Sequence, residues 1–341
     1  MLSGRRTRNR MITVAWTLLF TSVAAVTFTL LMFPERWWPL SVWTGVSSGL
    51  LIGAPVVVWI FLGLDTTIGR SLKRLPLLAY LAVNATITSA LLLIGHLSAF
   101  YLIWPAGRPF LDDTLLPSLV FSIALVIVVS VVIELRRLIG PGVFGALLIG
   151  RYRYPRAERR VFLLLDIVGS TGLAEHLGPE RFLAFLDRWI HQLTEPLLVS
   201  GGRIYRYIGD EMILTWAWTP DAASQALAFA TDAAAAIARD AEIWRRDFGA
   251  VPEMRAALHA GPVVAGEIGD LKREITFLGD TLNTAARIAG EARKHGGLVL
   301  ASAEALDGAR LPPGLVRRDL GPVTLRGKAE PVALAVIGRG N

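Results

Sequence analysis

The sequence predicts two folds in one chain. An N-terminal all-α transmembrane domain of four helices occupies residues 1–135, and a C-terminal α+β domain occupies residues 159–341. A linker, 136–158, joins them. Three observations carry this reading. The chain of 341 residues is 53% hydrophobic and its mean hydropathy is +0.50, too apolar for an ordinary soluble protein. Four long apolar stretches fall before residue 136. From Val161 onward the pattern changes to short apolar strands alternating with amphipathic helices.

The apolar stretches run over about 11–33, 41–63, 77–103 and 115–133. Each reaches the ~20 residues needed to cross a hydrocarbon core. The first is too long for a signal-peptide core and lacks a small-residue cleavage site, so it is expected to be retained. The third exceeds what a crossing needs, which predicts tilt or an interfacial end. MLSGRRTRNR, LDTTIGRSLKR and ELRRLIG are rich in Arg and Lys, whereas PERWWPL and AGRPFLDD hold one Arg each beside acids. The positive-inside rule then places the N-terminus, the second loop and everything after residue 134 in the cytoplasm. The expected location is the inner (plasma) membrane, multi-pass. Trp37, Trp38 and Trp104 sit where an aromatic belt would.

The net charge of +7 invites a nucleic-acid reading. Its distribution argues against one: Arg5, Arg6, Arg70, Lys73, Arg136 and Arg137 flank apolar runs. The expected partner is the lipid bilayer, with no nucleic acid. The chain has no cysteine, which excludes disulfides and thiolate metal sites. His96 is the sole histidine of the apolar stretches. A haem ligand would need a second histidine from another chain; a neutral, hydrogen-bonded ring is the simpler expectation. The outer loops are too short for a sensor domain, so any stimulus would be an apolar membrane ligand or a partner protein.

In the linker, Pro141, Gly142 and Gly145 break continuation of the fourth helix. VFGALLIG is too short to span and is expected in the interface. RYRYPRAERR is strongly basic and suits either an anchor to anionic headgroups or a coupling segment. The C-terminal half then reads as a buried strand (RVFLLLDI), one amphipathic helix over AEHLGPERFLAFLDRWIHQLTEPLL, and a hairpin (GGRIYRYIGDEMILTW). A second helix covers DAASQALAFATDAAAAIARDAEIWRRDF. A strand pair (EMRAALHAGPVVAGEIG and REITFLG), a third helix (DTLNTAARIAGEARKHG) and three closing strands follow. This is an α+β or mixed sheet with helices on one side.

Three features carry chemistry. Asp166 ends an apolar strand, where a carboxylate is costly unless it is paired or holds a metal. The following IVGST opens a helix whose free N–H groups suit phosphate, although Ser170 or Thr171 could equally be an ordinary cap. Asp210 sits at the hairpin tip; beside the first strand it would meet Asp166, and two carboxylates plus substrate phosphates commonly hold Mg²⁺. Asn283 and Arg287 stand four apart on one helical face, an amide and a guanidinium suited to phosphoryl charge. Such a pair alone arises often by chance.

In their order, FLLLDIVGST, GGRIYRYIGDEMILTW, ITFLGDTLNTAARI and LRGKAEPVALAVIG resemble the motifs of the class III nucleotidyl cyclases. The resemblance covers about 160–340. The four-span part also looks like bacterial membrane-anchored members. It implies a ferredoxin-like palm and a head-to-tail homodimer with shared sites. It implies two divalent metals, Mg²⁺ or Mn²⁺, on Asp166, Asp210 and the Ile167 backbone, and phosphates cradled at Ile167, Val168, Gly169, Ser170 and Thr171. Asn283 and Arg287 would act from the partner chain on the ribose and the α-phosphate. Arg326, or Lys328 beside it, would contact phosphate. Arg206 and Glu274 stand where the family reads the base, with a donor and an acceptor suited to adenine. The implied activity is an adenylate cyclase that makes 3′,5′-cyclic AMP and diphosphate from ATP. A guanylate or general purine cyclase, a diguanylate cyclase and a degenerate nucleotide-binding signalling domain are the alternatives.

Overall fold

A computed structural model describes residues 3–32, 34, 37–61, 66–72, 75–103, 115–139, 141–271 and 273–339. Trp104, Lys73 and Arg74, used above for orientation, lie outside the described residues. The chain divides into two compact units, Ser3–Pro141 and Gly142–Asn341.

The first unit holds α1 (Ser3–Met32), α2 (Trp38–Phe61), the short α3 (Thr67–Leu72), α4 (Leu77–Ile103) and α5 (Leu115–Ile139). Four of these are long and apolar enough to cross a membrane. α1 begins earlier and α5 ends later than the apolar stretches, because the flanking arginines are themselves good helix formers. Lipid gives helices no hydrophobic reason to associate, so packing rests on close backbone approach at small residues. A Cβ on Gly45 would lie 2.6 Å from Val26 Cα, and one on Gly49 2.7 Å from Ser22 Cα. On α4, a Cβ on Gly95 would lie 2.7 Å from Ile52 Cα. Trp59 Nε1 donates to Asn84 Oδ1 at 3.0 Å, tying α2 to α4.

The second unit opens on α6 (Pro141–Leu148), which begins at the boundary, and continues through β1 (Arg156–Ile167), α7 (Ser170–Leu177), α8 (Pro179–Ser200), β2 (Arg203–Ile208) and β3 (Glu211–Ala217). Then come α9 (Ala222–Arg239), α10 (Ala241–Phe248), β4 (Met254–Ile268), β5 (Glu274–Leu278) and α11 (Asp280–Ala292). β6 (Val299–Ser302), α12 (Ala303–Leu306), β7 (Leu315–Val323) and β8 (Val332–Arg339) complete it. The sheet order is β2-β3-β1-β4-β6-β8-β7, with β5 paired to β4. Its first half is a β-α-β-β-α-β unit with spatial order β4-β1-β3-β2, the ferredoxin-like arrangement. β1 pairs antiparallel with both β3 and β4.

β1 is central and covered on both faces, which explains its unbroken apolar run. Val161, Leu163, Leu165 and Ile167 pack with Trp189, Phe229 and Trp244. Phe162 and Leu164 face the other way, against Phe277, Ala285 and Ile288. The expected placement of helices on one side therefore holds for α8–α10, while α11 covers the opposite face. Two expected helices are broken. Gly178, at φ 74, with Pro179 beyond it separates α7 from α8. Asp240 separates α9 from α10.

The basic linker is pinned to the sheet. Tyr152 is 4% exposed and packs with Phe162 and Phe277. Its hydroxyl accepts from Arg160 Nη2 at 2.9 Å and donates to Glu158 at 3.2 Å. Arg160 also donates to Glu158 at 2.7 Å and lies over the Phe277 ring at 4.7 Å.

Candidate active site

Strand register brings the two predicted aspartates together. Leu165 stands opposite Met212 across β1 and β3, so Asp166 ends its strand beside the turn that holds Asp210. Their carboxyl groups lie close enough to interact directly. Burial, then the contact with Asp210, pushes Asp166 above the ordinary carboxylate range; the Arg255 guanidinium pulls the other way. Asp210 is held below its ordinary value: burial raises it, but hydrogen bonds from Ser170, Asp166 and its own turn prevail. Of the two, Asp166 is the one that binds a proton more readily. Glu211 is raised by burial and by both aspartates.

Arg255 was not legible as a site residue. It stands opposite Asp166 in the β1–β4 register and donates to Oδ2 at 2.7 Å, with side chains 21% and 14% exposed. Arg293, just past α11, lies 3.7 Å from the same oxygen. Neither has a sequence signal, because strand register and the end of a helix packed on a sheet bring them in.

The carboxylates fit a divalent cation. Asp210 Oδ2 is buried without a hydrogen-bond partner, an orphaned acceptor that calls for a cation. Among the described residues no cluster of three or more His, Cys, Asp or Glu could hold a metal alone. One or two carboxylates, with substrate phosphates completing the shell, are the usual donors to Mg²⁺.

Beside the pair, Gly169 adopts φ 70 and α7 begins at Ser170. The Leu173 N–H closes the first helical bond, onto the Gly169 carbonyl. The N–H groups of Ser170, Thr171 and Gly172 precede it and point out of the helix start, where an anion is favoured. The expected cradle is narrower than 167–171. The Val168 N–H donates to the Glu253 carbonyl at 2.8 Å, and Ile167 is opposite Met254 in the ladder.

Arg206 and Glu274 are 68 residues apart and form an ion pair at 2.7 Å, with side chains 44% and 38% exposed. β5 delivers Glu274 there. It is steadied by Tyr205, whose hydroxyl meets Thr276 Oγ1 at 3.2 Å and accepts from the Phe277 N–H at 3.4 Å.

Asn283, Arg287, Arg326 and Lys328 form a second set elsewhere. Thr281 donates to the Pro262 carbonyl and fixes the start of α11 there. Asn283 is exposed on that first turn. The Arg287 guanidinium lies against Gly327, 3.6 Å from where a Cβ would stand. Lys328 Nζ pairs with Asp280 Oδ2 at 2.7 Å, which holds Asp280 below its ordinary value. Arg326 is exposed. Nearby, His259 is buried, its Nδ1 2.7 Å from Ser302 Oγ, and burial lowers it to about 4.

The two sets are far apart in one chain. Asp166 is opposite Arg255 and the start of α11 is at Pro262. Along β4, from Arg255 to Pro262, the separation is roughly 23 Å at about 3.3 Å per residue. On α11, Asn283 precedes Arg293 by roughly 15 Å at about 1.5 Å per residue.

A family model described as the adenylate and guanylate cyclase catalytic domain matches residues 154–337. The chain belongs to the class III adenylate/guanylate cyclase family. A relative with the same reach is "Adenylate cyclase 2" of Rhizobium meliloti, 36% identical over 316 residues, covering 88% of this chain and 86% of that one. An uncharacterized protein of Mycobacterium bovis is 33% identical over 183 residues, 52% of this chain and 31% of its own. Among solved structures, a bacterial light-regulated adenylyl cyclase superposes with a TM-score of 0.56 at 18% identity, over 67% of this chain and 66% of that one. At that identity it supports the fold alone. In this class III cyclase the ferredoxin-like sheet carries the paired aspartates, and α11 carries the Asn283/Arg287 face.

Proposed function

We propose that this chain is a membrane-anchored adenylate cyclase, forming 3′,5′-cyclic AMP and diphosphate from ATP at sites shared by two copies in head-to-tail arrangement. The observation that carries it is that Asn283, on the first turn of α11, lies roughly 15 Å along the helix, at about 1.5 Å per residue, from Arg293 beside Asp166. A second copy supplies its α11 to the aspartates of the first. Apolar side chains exposed on the β4–β5 hairpin, Val264, Ile268, Leu271 and Leu278, give a surface for that contact. The four apolar helices support anchoring, with the C-terminal domain in the cytoplasm. Residues 1–135, 136–158 and 159–341 serve as anchor, linker and catalytic domain.

The reaction is an in-line displacement. The ribose 3′-hydroxyl gives its proton to solvent, its oxygen bonds to the α-phosphorus, the bond from that phosphorus to the bridging oxygen breaks, and diphosphate leaves with the electron pair. Asp166 and Asp210, with the Ile167 carbonyl, would hold two Mg²⁺ or Mn²⁺ ions, whose chemistry is to acidify the 3′-hydroxyl and neutralise phosphate charge. Gly169, Ser170 and Thr171 donate N–H groups to phosphate. From the other copy, Asn283 orients the ribose and Arg287 stabilises charge growing on the α-phosphate. Arg326 binds the outer phosphates, since Lys328 is occupied by Asp280. Arg206 donates to adenine N1, and Glu274 accepts from the 6-amino group while bracing Arg206.

Chain mixing tests the shared site. Asp210→Asn and Arg287→Ala homodimers are each expected to be nearly inactive. Mixed chains should recover activity, because a heterodimer holds one intact site. Heterodimers confirmed by differential tags yet no more active than the parents would refute the arrangement.

A further inference from the structure

A partly open cavity of about 130 Å³ lies between α1, α2, α4 and α5 of the helical unit. A void of about 150 Å³ takes one benzene ring. Most of the wall is apolar, including Phe28 and Phe121, which stack at 4.4 Å. The polar part of the wall is unusual in what it offers. Thr21 donates its hydroxyl hydrogen to the Leu18 carbonyl at 3.0 Å, and Thr44 donates to Leu40 at 2.9 Å. Ser122 donates to Ser118 at 2.8 Å. Each hydroxyl spends its one hydrogen on its own helix and turns only lone pairs elsewhere.

His96 sharpens this asymmetry. It lines the cavity and is 6% exposed. Its Nδ1 is 2.9 Å from the Leu92 carbonyl oxygen. A carbonyl cannot donate, so Nδ1 carries the hydrogen. A charged ring in an apolar bundle is expensive, and in the neutral ring the other nitrogen, Nε2, is then an acceptor. The neighbouring polar atom is Ser122 Oγ at 3.4 Å, whose hydrogen is committed to the shorter bond. Nε2 is thus left with one long contact, to a hydroxyl whose shorter bond runs elsewhere. An acceptor so weakly partnered gains from a better donor, and here it borders a ring-sized apolar space.

We propose that this cavity binds a small apolar ring that carries one hydroxyl, a phenol-like group, with the hydroxyl donating to His96 Nε2. The void sets the size, the aromatic wall sets the apolar body, and the surplus of acceptors sets the donor. This chemistry could come from a free small molecule or from the ring at the head of a membrane lipid. The inference rests on the helical unit alone and stands apart from the cyclase reading.

The test uses the full chain in lipid nanodiscs, with 4-fluorophenol and fluorobenzene as probes. Binding is read by ¹⁹F NMR against empty nanodiscs of the same lipid. Saturable binding of 4-fluorophenol at least about tenfold tighter than fluorobenzene is expected, one 1.4 kcal/mol step. His96→Leu should bring the two probes to within about twofold of each other. Ser122→Ala removes only the long 3.4 Å contact to Nε2 and should keep the preference, which guards against a variant that only disturbs packing. The ¹⁵N resonance of His96 Nε2 should move with 4-fluorophenol and not with fluorobenzene. Displacement by a decyl-tailed hydroquinone would assign the ring to a lipid head; failure to displace would assign a free molecule. Equal binding of both probes to the wild type, or a preference that survives His96→Leu, would overturn the proposal.

Discussion

Replacing Asp166 with Asn should abolish turnover and, without divalent metal, make the catalytic domain more stable. The carboxyl groups of Asp166 and Asp210 are in contact, and Asp166 is 14% exposed. Two like charges about 4 Å apart repel by roughly 4 kcal/mol at an effective dielectric constant of about 20. Against this stands the 2.7 Å bond from Arg255, a charge-assisted contact worth about 1.5–3 kcal/mol. The balance leaves about 1–2.5 kcal/mol in favour of the amide. For a domain of this size that is roughly 2–10 °C in Tm. The pH dependence follows from the same cause. Asp166 is raised above 3.8 in the folded state, so the folded protein holds this proton more tightly than the unfolded chain. The stability this one group lends is complete below that value and is lost as pH rises through the raised one. The assay is unfolding of the full chain in nanodiscs, followed by tryptophan fluorescence in EDTA and in Mg²⁺. Wild type should gain stability on adding Mg²⁺, and Asp166→Asn should gain little. An Asp166→Asn protein that melts below wild type in EDTA would refute the reasoning, as would one that retains turnover at saturating Mg²⁺.

ATP should be preferred over GTP by at least about tenfold in kcat/KM, because guanine would set N1–H against Arg206 and its 6-oxo group against Glu274, leaving polar groups unpaired; initial rates with each nucleotide check this. Arg206→Ala should narrow that ratio as well as lower activity, since Glu274 loses its 2.7 Å partner. His259, at about 4, should show no titration of its ring protons by NMR between pH 7.5 and 5.5. The stability it lends is complete above 6.5, the ordinary value, and is lost as pH falls toward 4. Tyr152→Phe should cost about 1–3 kcal/mol of catalytic-domain stability, because it strips the 2.9 Å partner from the buried Arg160; denaturant unfolding checks it.

What the sequence determined by itself was whatever depends on neighbours along the chain. Four runs of about twenty apolar residues must be helices of spanning length, since only a helix satisfies every backbone group within itself. The central strand, the hairpin turn at Gly209–Asp210 and the Asn283/Arg287 face rest on local periodicity, and the structure repeats them. The order of the motifs led to the cyclase family for the same reason. What only the tertiary structure decided was pairing across distance. Register places Arg255 on Asp166, and nothing within a few residues of either announces the other. β5 carries Glu274 to Arg206 over 68 residues. α11 lies on the face opposite α8–α10 because β1 is apolar on both sides, and an unbroken apolar run cannot say which helix takes which face. Gly178 and Asp240 break helices that periodicity alone would continue, since the apolar stripe resumes beyond each break. The long contact between His96 and Ser122 belongs to the same class. Each residue bonds within its own helix, and the weak bond between them exists only where α4 and α5 come together.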